Sequence, residues 1–359
     1  MPNPHPAKAA QLILENGTIF KGKIFGSDKP VSGEVVFNTG MVGYPETLTD
    51  PSYKGQILTF TYPMIGNYGV PSFYEDNKLK EHFESDKIQV NALIVSEYSE
   101  TFSHWNGAQS LDSWLKNNSV PGLYGVDTRR LTKVLRENGT MLGRITTENG
   151  KNEFYNPHEF DLIKEVTTTE VKIFGRGKKK IVVLDCGCKN RIVHYLLKRL
   201  VSIKLVPYDY DLSNEDYDAL VISNGPGNPE VYTGLIDTVK KAFVKNKPIL
   251  GICMGHQIIA HAAGAKTYRL KYGHRSQNQP VINEENKKCY ITSQNHGYAL
   301  DVKSLPSNWK PWFTNLNDGT NEGIKHKSKP FMSVQFHPEA APGPVETAYI
   351  FDEFVRMIK

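Results

Sequence analysis

Pro248-Ile249-Leu250-Gly251-Ile252-Cys253-Met254-Gly255-His256-Gln257 decides how this chain is read. An apolar run leads into Cys253, and a helical pattern leaves after it. Glycines stand two positions before and two after the cysteine. A sharp strand-to-helix turn with that spacing is a nucleophile elbow, here in a G-x-C-x-G form. Only glycine leaves room for so tight a turn. The departing helix aims its first amides at the sulfur, which favours thiolate and developing anions. The N–H of Met254 is placed for an oxyanion hole. A bare cysteine on an apolar strand is more often a core residue; the flanking glycines and the strand-helix junction turn that reading toward catalysis.

Outward from the elbow, strands and helices alternate over short loops. Lys180–Asp185, Ser202–Pro207, Ala219–Ser223 and Pro248–Ile252 read as strands. Asn190–Arg199, Gly234–Val244 and His256–Ala263 read as helices. Lys288–Ser293 and Phe331–Phe336 add further strands. This alternation predicts a doubly wound α/β sheet, mostly parallel at its centre, with its ligand crevice at the carboxyl ends of the strands. Ser223-Asn224-Gly225-Pro226-Gly227 follows one such strand, so Gly225 or Gly227 is available as a second oxyanion donor. Read alone, that loop is an ordinary tight turn. Another strand ends in Gln335-Phe336-His337-Pro338-Glu339. Pro338 keeps His337 extended, and residues two apart then point the same way. Glu339 is expected to hold the imidazole while His337 takes the thiol proton. His256, three residues beyond the cysteine on the helix, is expected to turn away from it. His296, with no carboxylate near it in sequence, reads as part of a substrate wall in Gln294-Asn295-His296-Gly297-Tyr298. His261 and His274 read as structural.

The first half is mixed α and β without a repeat. Gln11–Leu14, the Asn16-Gly17 turn and Ile19-Phe20 signal a hairpin. Glu34–Asn38, Gly55–Tyr62 and Asn91–Val95 read as strands, and Ser110–Asn117 and Asp127–Asn138 as helices. Thr167-Thr168-Thr169 and Gly175-Arg176-Gly177 mark a boundary, giving an N-terminal mixed α/β domain at 1–170 and a second domain at 178–359.

The bulk numbers exclude much else. The 359 residues suit two domains. Composition is 39% hydrophobic and 23% charged, with no apolar run long enough to span a membrane. Residues 1–10 lack the apolar core of a signal peptide and read as a frayed tail. The net charge of +5 is dispersed, and Lys178-Lys179-Lys180 falls in the linker, so neither nucleic acid nor membrane is expected as a partner. Four cysteines, with Cys186 and Cys188 in C-x-C spacing, fit reduced cytoplasmic thiols better than a disulfide framework or a metal knuckle. No phosphate-binding G-x-x-x-x-G-K-[ST] occurs, so no cofactor and no metal are expected on this chain.

The elbow, the Gly-Pro-Gly loop and the His-Pro-Glu end, in this order, resemble the class I (triad) glutamine amidotransferases over about 180–359. The first half narrows the likeness. Gly33–Tyr44, Thr49–Tyr53, Tyr62-Pro63, Ile65–Gly69 and Gly125–Arg129, with Tyr272–Arg275 and Gln294–Tyr298, resemble the small, glutaminase chains of carbamoyl-phosphate synthetases. The resemblance implies a catalytic triad of Cys253, His337 and Glu339. It implies L-glutamine bound by Ser52, Gly225, Gly227, Met254, Gln257, Asn295, Gly297 and Tyr298. It further implies a large synthetase partner that carries ATP and Mg, takes the released ammonia and makes carbamoyl phosphate from bicarbonate for arginine or pyrimidine synthesis. Forms from ureotelic vertebrates that have lost the cysteine are inactive as glutaminases. The competing readings are another class I amidotransferase or a γ-glutamyl hydrolase, which the first half opposes, and a catalytically silent docking chain, which the intact triad opposes.

Overall fold

The fold was analysed in a computed structural model, which describes residues 8–359 apart from 74, 77–78, 149 and 151, and without the side chains of 75 and 76. Residues 1–7 of the expected N-terminal tail lie outside the described residues. The chain divides into two compact units, Met1–Glu75 with Lys80–Phe160, and Asp76–Leu79 with Asp161–Lys359.

The first unit is built on a closed seven-stranded barrel, a closure that its sequence, read only as mixed α and β, does not announce. Around the barrel run Ala9–Leu14, Met141–Thr146, Val31–Asn38, Gln56–Phe60, Ala92–Ile94, Pro121–Tyr124 and Ile19–Gly26. The Asn16-Gly17 turn joins the first and last of these as an antiparallel hairpin, with Gly17 at φ 85°. Strand alternation divides the apolar side chains into two layers. Val36, Leu58 and Leu93 join the helix Leu111–Asn117. Val35, Ile57, Ala92 and Ile94 join the helix Thr128–Asn138. Ser110 and Asp127 cap those two helices through their side chains.

The second unit holds a ten-stranded sheet. Its five central strands are parallel, in the order Ser202–Pro207, Lys180–Asp185, Ala219–Ile222, Ile249–Ile252, Phe331–Val334. Their runs of Val, Ile and Leu are apolar on both faces because both faces are covered. On one face Ile181 and Val183 pack with the helices Asn190–Leu197 and Tyr349–Arg356. On the other, Val182 and Leu184 pack with Thr233–Val244 and Met254–Ala263.

The flanks are antiparallel, which the alternation reading did not foresee. Lys266–Asn283 and Cys289–Asp301 form a long hairpin, with Asn321–His326 and Trp309–Asn315 beside it. The segment Lys288–Ser293 is only the start of its strand, because the polar stretch Gln294–Tyr298 continues the ladder. The expected boundary near 165–178 also moves. Lys172–Phe174 pairs antiparallel with Ser202–Pro207, and the Thr168 N–H donates to the Asp185 carboxylate at 2.7 Å. These bonds tie the Thr- and Gly-rich stretch to the second unit, which begins at Asp161.

Candidate active site

Cys253 sits at the junction of Ile249–Ile252 and the helix Met254–Ala263, with φ 53° and ψ −101°. A non-glycine residue held there stores strain of about 1–3 kcal/mol. The neighbouring glycines explain how the turn closes. A Cβ on Gly251 would lie 2.5 Å from the Gly255 carbonyl, and one on Gly255 would collide with the Ile222 carbonyl. The helix therefore starts hard against the preceding strand. The backbone N–H of Cys253 donates to Val334 O at 2.9 Å, and that of Gly255 to Ser223 O at 3.1 Å. At the first helical position, the N–H of Met254 has no helical carbonyl to bind.

The candidate base, His337, follows the strand next to the elbow. Phe331–Val334 runs parallel to Ile249–Ile252, and the chain continues through Gln335 to His337. The His337 N–H donates to Ser293 O at 2.9 Å, fixing this segment against the hairpin. His337 Nδ1–H donates to Glu339 Oε1 at 2.6 Å. Cys253, His337 and Glu339 are all buried. In this resting state the thiol donates to Asn295 O at 3.6 Å, and among the described residues His337 Nε2 makes no hydrogen bond of ordinary geometry. The ring nevertheless feels the sulfur. Burial favours its neutral form, but the Glu339 carboxylate, the Cys253 thiol and the bond to Glu339 outweigh this and push His337 up to about 10. Burial would likewise raise Glu339, but the Lys189 ammonium and then His337 bring it down to about 2. The pair is therefore imidazolium and carboxylate at neutral pH, suited to protonating a leaving group.

The proposed glutamine-binding positions of the second unit lie on three elements. Met254 and Gln257 are on the elbow helix. Asn295, Gly297 and Tyr298 are on Cys289–Asp301. Gly225 and Gly227 are in the loop after Ala219–Ile222. A Cβ on Gly225 would strike the Cys186 carbonyl, and Gly227 has φ 95°. The hydrogen bonds join two of these elements to each other. Gln257 Nε2 donates to Tyr298 O at 3.1 Å, and Cys253 contacts Asn295 O. Ser52 belongs to the first unit, on the short turn Pro51–Tyr53, where its N–H donates to Asp50 Oδ1 at 2.9 Å.

Residues 182–357 match the family "Glutamine amidotransferase class-I", and residues 12–145 match "Carbamoyl-phosphate synthase small chain, CPSase domain". The chain belongs to the carbamoyl-phosphate synthase small-chain family. Relatives include the mitochondrial "Carbamoyl-phosphate synthase [ammonia]" of Mus musculus, 50% identical over 98% of this chain and 24% of its own length. "Multifunctional protein CAD" of Squalus acanthias is 50% identical over 96% and 16%. "Multifunctional protein URA2" of Saccharomyces cerevisiae is 44% identical over 97% and 17%. This chain thus spans a quarter or less of the length of these relatives.

The small-chain site contains a residue that the sequence reading missed. Lys189 is buried, with its Nζ 3.2 Å from Glu339 Oε1 and donating to Ala340 O. Its own N–H donates to Asn224 Oδ1 at 3.1 Å. The available signal was its position: the last residue of the loop after Lys180–Asp185, at the carboxyl edge of the parallel sheet. Ala340 and Ala341, just beyond Glu339, both have positive φ, of 54° and 52°, so the tether from Lys189 holds a strained turn.

The other histidines separate cleanly. His256 is buried, has Nδ1 2.9 Å from Ser333 Oγ, and is pushed down to about 3 by burial. It is a neutral core ring. His296 gains the carboxylate neighbour its sequence lacked, with Glu322 Oε1 3.9 Å from Nε2. Its Nδ1–H donates to Tyr298 O at 2.8 Å. His274, His296 and Glu322 are by type able to hold a metal ion. The Gln294 amide occupies their midst, with Oε1 3.0 Å from His274 Nδ1 and 3.1 Å from His296 Nε2. His274 Nε2 also reaches Asp318 at 2.8 Å. This network holds the substrate-wall segment against Asn321–His326.

Proposed function

We propose that this chain is the glutamine-hydrolysing component of a carbamoyl-phosphate synthase. The observation that carries the reading is the buried series Cys253, His337, Glu339 and Lys189 at the elbow. Cys253 attacks the side-chain amide carbon of L-glutamine as the thiolate of a thiolate–imidazolium pair with His337, and the carbonyl electron pair moves onto oxygen. Met254 N–H and an amide of the Gly225–Gly227 loop receive that oxyanion. The tetrahedral adduct collapses, the C–N bond breaks, and His337 gives its proton to the departing nitrogen. Neutral His337 then takes a proton from water as the water oxygen attacks the thioester carbon; the C–S bond breaks, glutamate leaves and Cys253 returns as thiolate. Glutamine is held by Gly225, Gly227, Met254, Gln257, Asn295, Gly297 and Tyr298 of the second unit.

The ammonia is destined for a large synthetase part that carries ATP and Mg and uses bicarbonate; this chain itself needs no cofactor. A cytoplasmic setting and service to pyrimidine or arginine synthesis complete the proposal. Among the described residues no helix is long and apolar enough to cross a membrane.

A second reading has one specific observation behind it: four relatives 49–50% identical to this chain are named for ammonia, not glutamine. A silent docking chain would be expected to lose its nucleophile, and here Cys253 is present with its base oriented. The test is Cys253→Ser in the assembled synthase. Synthesis from glutamine should fall by about a thousand-fold or more, while synthesis from free ammonia persists. Glutamine-driven synthesis by that variant would remove the nucleophile from the mechanism; wild type driven only by ammonia would favour the docking role.

A further inference from the structure

Gln257 Nε2 makes two hydrogen bonds, to Tyr298 O at 3.1 Å and to Gln335 Oε1 at 3.0 Å. The first acceptor is a main-chain carbonyl and cannot donate, so it fixes which end of the Gln257 amide is nitrogen. With both N–H groups engaged, the polar atom left to Gln257 is Oε1, a pure acceptor. No other side-chain hydrogen bond of Gln257 occurs among the described residues. Gln335 is fully buried, and among the described residues its own Nε2 has no partner. A buried amide with one end unsatisfied is destabilising, so its placement needs a reason.

The segment supplies one. Gln335 lies between Val334, whose carbonyl binds the Cys253 N–H, and His337, the proposed base. Its own N–H donates to Glu322 O at 2.9 Å, which anchors its backbone to the adjoining strand. His337 follows Gln335 by two residues, and the backbone then turns at 338–339, with the Ala340 N–H donating to His337 O at 3.0 Å, which returns Glu339 to the ring. The strand that delivers the base therefore also delivers the group that orients Gln257.

The geometry points to Gln335 as a positioning residue that locks the Gln257 amide with its oxygen toward the substrate, selecting amino acids whose α-nitrogen is a free ammonium. This deepens the proposed glutaminase reading and rests on it. An α-ammonium donates to Gln257 Oε1. An acylated α-nitrogen carries no charge and adds bulk at the same place, so N-acyl-glutamine and peptide-linked glutamine are disfavoured. Without the Gln335 acceptor, the Gln257 amide retains one anchor and rotates more freely.

The test measures glutamine and N-acetyl-L-glutamine hydrolysis by the assembled synthase, together with inactivation of Cys253 by iodoacetamide. Gln335→Met should raise KM for glutamine about tenfold, the worth of one hydrogen bond, at unchanged kcat and unchanged alkylation rate. Discrimination against N-acetyl-L-glutamine should shrink by a similar factor. Gln335→Glu keeps an acceptor oxygen and should retain the wild-type KM. If Gln335→Met does not fold, Gln335→Asn, which withdraws the acceptor by one methylene, carries the same expectation. A wild-type KM without the acceptor, or a loss confined to kcat, overturns the assignment. A wild-type synthase that alkylates normally but never hydrolyses glutamine overturns the proposed function, and this inference with it.

Discussion

Glu34 in the barrel and Glu339 beyond the last parallel strand are both buried carboxylates, and their surroundings differ in kind. Glu34 uses both oxygens: Gln56 Nε2 donates to Oε2 at 2.9 Å, and Thr140 Oγ1 to Oε1 at 2.7 Å. His158 Nε2 lies 3.2 Å from Oε1. Glu339 concentrates its side-chain contacts on Oε1, shared by His337 and Lys189. Each neighbourhood keeps a buried polar atom without a side-chain hydrogen bond among the described residues, Gln56 Oε1 beside Glu34 and Oε2 of Glu339 itself, so incomplete satisfaction does not separate them. Burial alone does not separate the two; the chain of contacts from Glu339 through His337 toward a strained cysteine does.

That contrast is broken most severely at its reactive end. His337→Asn should lower kcat/KM for glutamine by about a thousand-fold and also lower thermal stability, because it removes one partner of the buried pair with Glu339, read from steady-state kinetics beside calorimetry. Glu339→Gln should lower it by about a hundred-fold and also move the pH profile. His337 is raised from 6.5 to about 10 chiefly by Glu339 acting against burial. The alkaline limb of kcat/KM should therefore shift downward from near pH 10 when that carboxylate is neutralised.

Lys189→Met should act mainly on stability, by about 3 kcal/mol, because it removes one partner of a buried ion pair. Glu339 is held near 2 against an ordinary 4.5, with burial opposing and Lys189 leading the groups that lower it. A depressed acid stabilises above its unfolded pKa and loses that contribution as pH falls through its folded value. Without Lys189, acid unfolding should begin at higher pH in a melting series. His337 has the opposite sign: its contribution is complete below pH 6.5 and disappears as pH rises through about 10. Glu34→Gln completes the comparison from the barrel side. It should cost about 1–3 kcal/mol and leave kcat/KM for glutamine unchanged. A drop in kcat/KM as large as that of Glu339→Gln would erase the distinction drawn here.

The elbow was legible in the sequence because its geometry is enforced locally, by Gly251 and Gly255. The pairing of His337 with Glu339 was readable from their closeness in sequence, but the chain brings them together through a turn at 338–339 and not through an extended strand. The parallel strands could be read because both their faces are apolar. The barrel was not: its closure depends on long-range pairing of Ala9–Leu14 with Met141–Thr146, which no local pattern encodes. The extension of Cys289–Asp301 was hidden because Gln294–Tyr298 is polar, yet buried against Glu322 and Gln257. Lys189 and Gln335 escaped for a related reason. Their partners lie far away in sequence, at Glu339 and Gln257, and a single Lys or Gln carries no spacing to read.

Everything proposed for this site depends on Cys253 being the nucleophile. Rapid acid quench of the assembled synthase during glutamine turnover, followed by peptide mass spectrometry, tests it most directly. The expected result is a glutamyl group on the peptide carrying Cys253, formed and discharged at the rate of turnover. A glutamyl group on another residue, or turnover with no covalent adduct in any peptide, would contradict it.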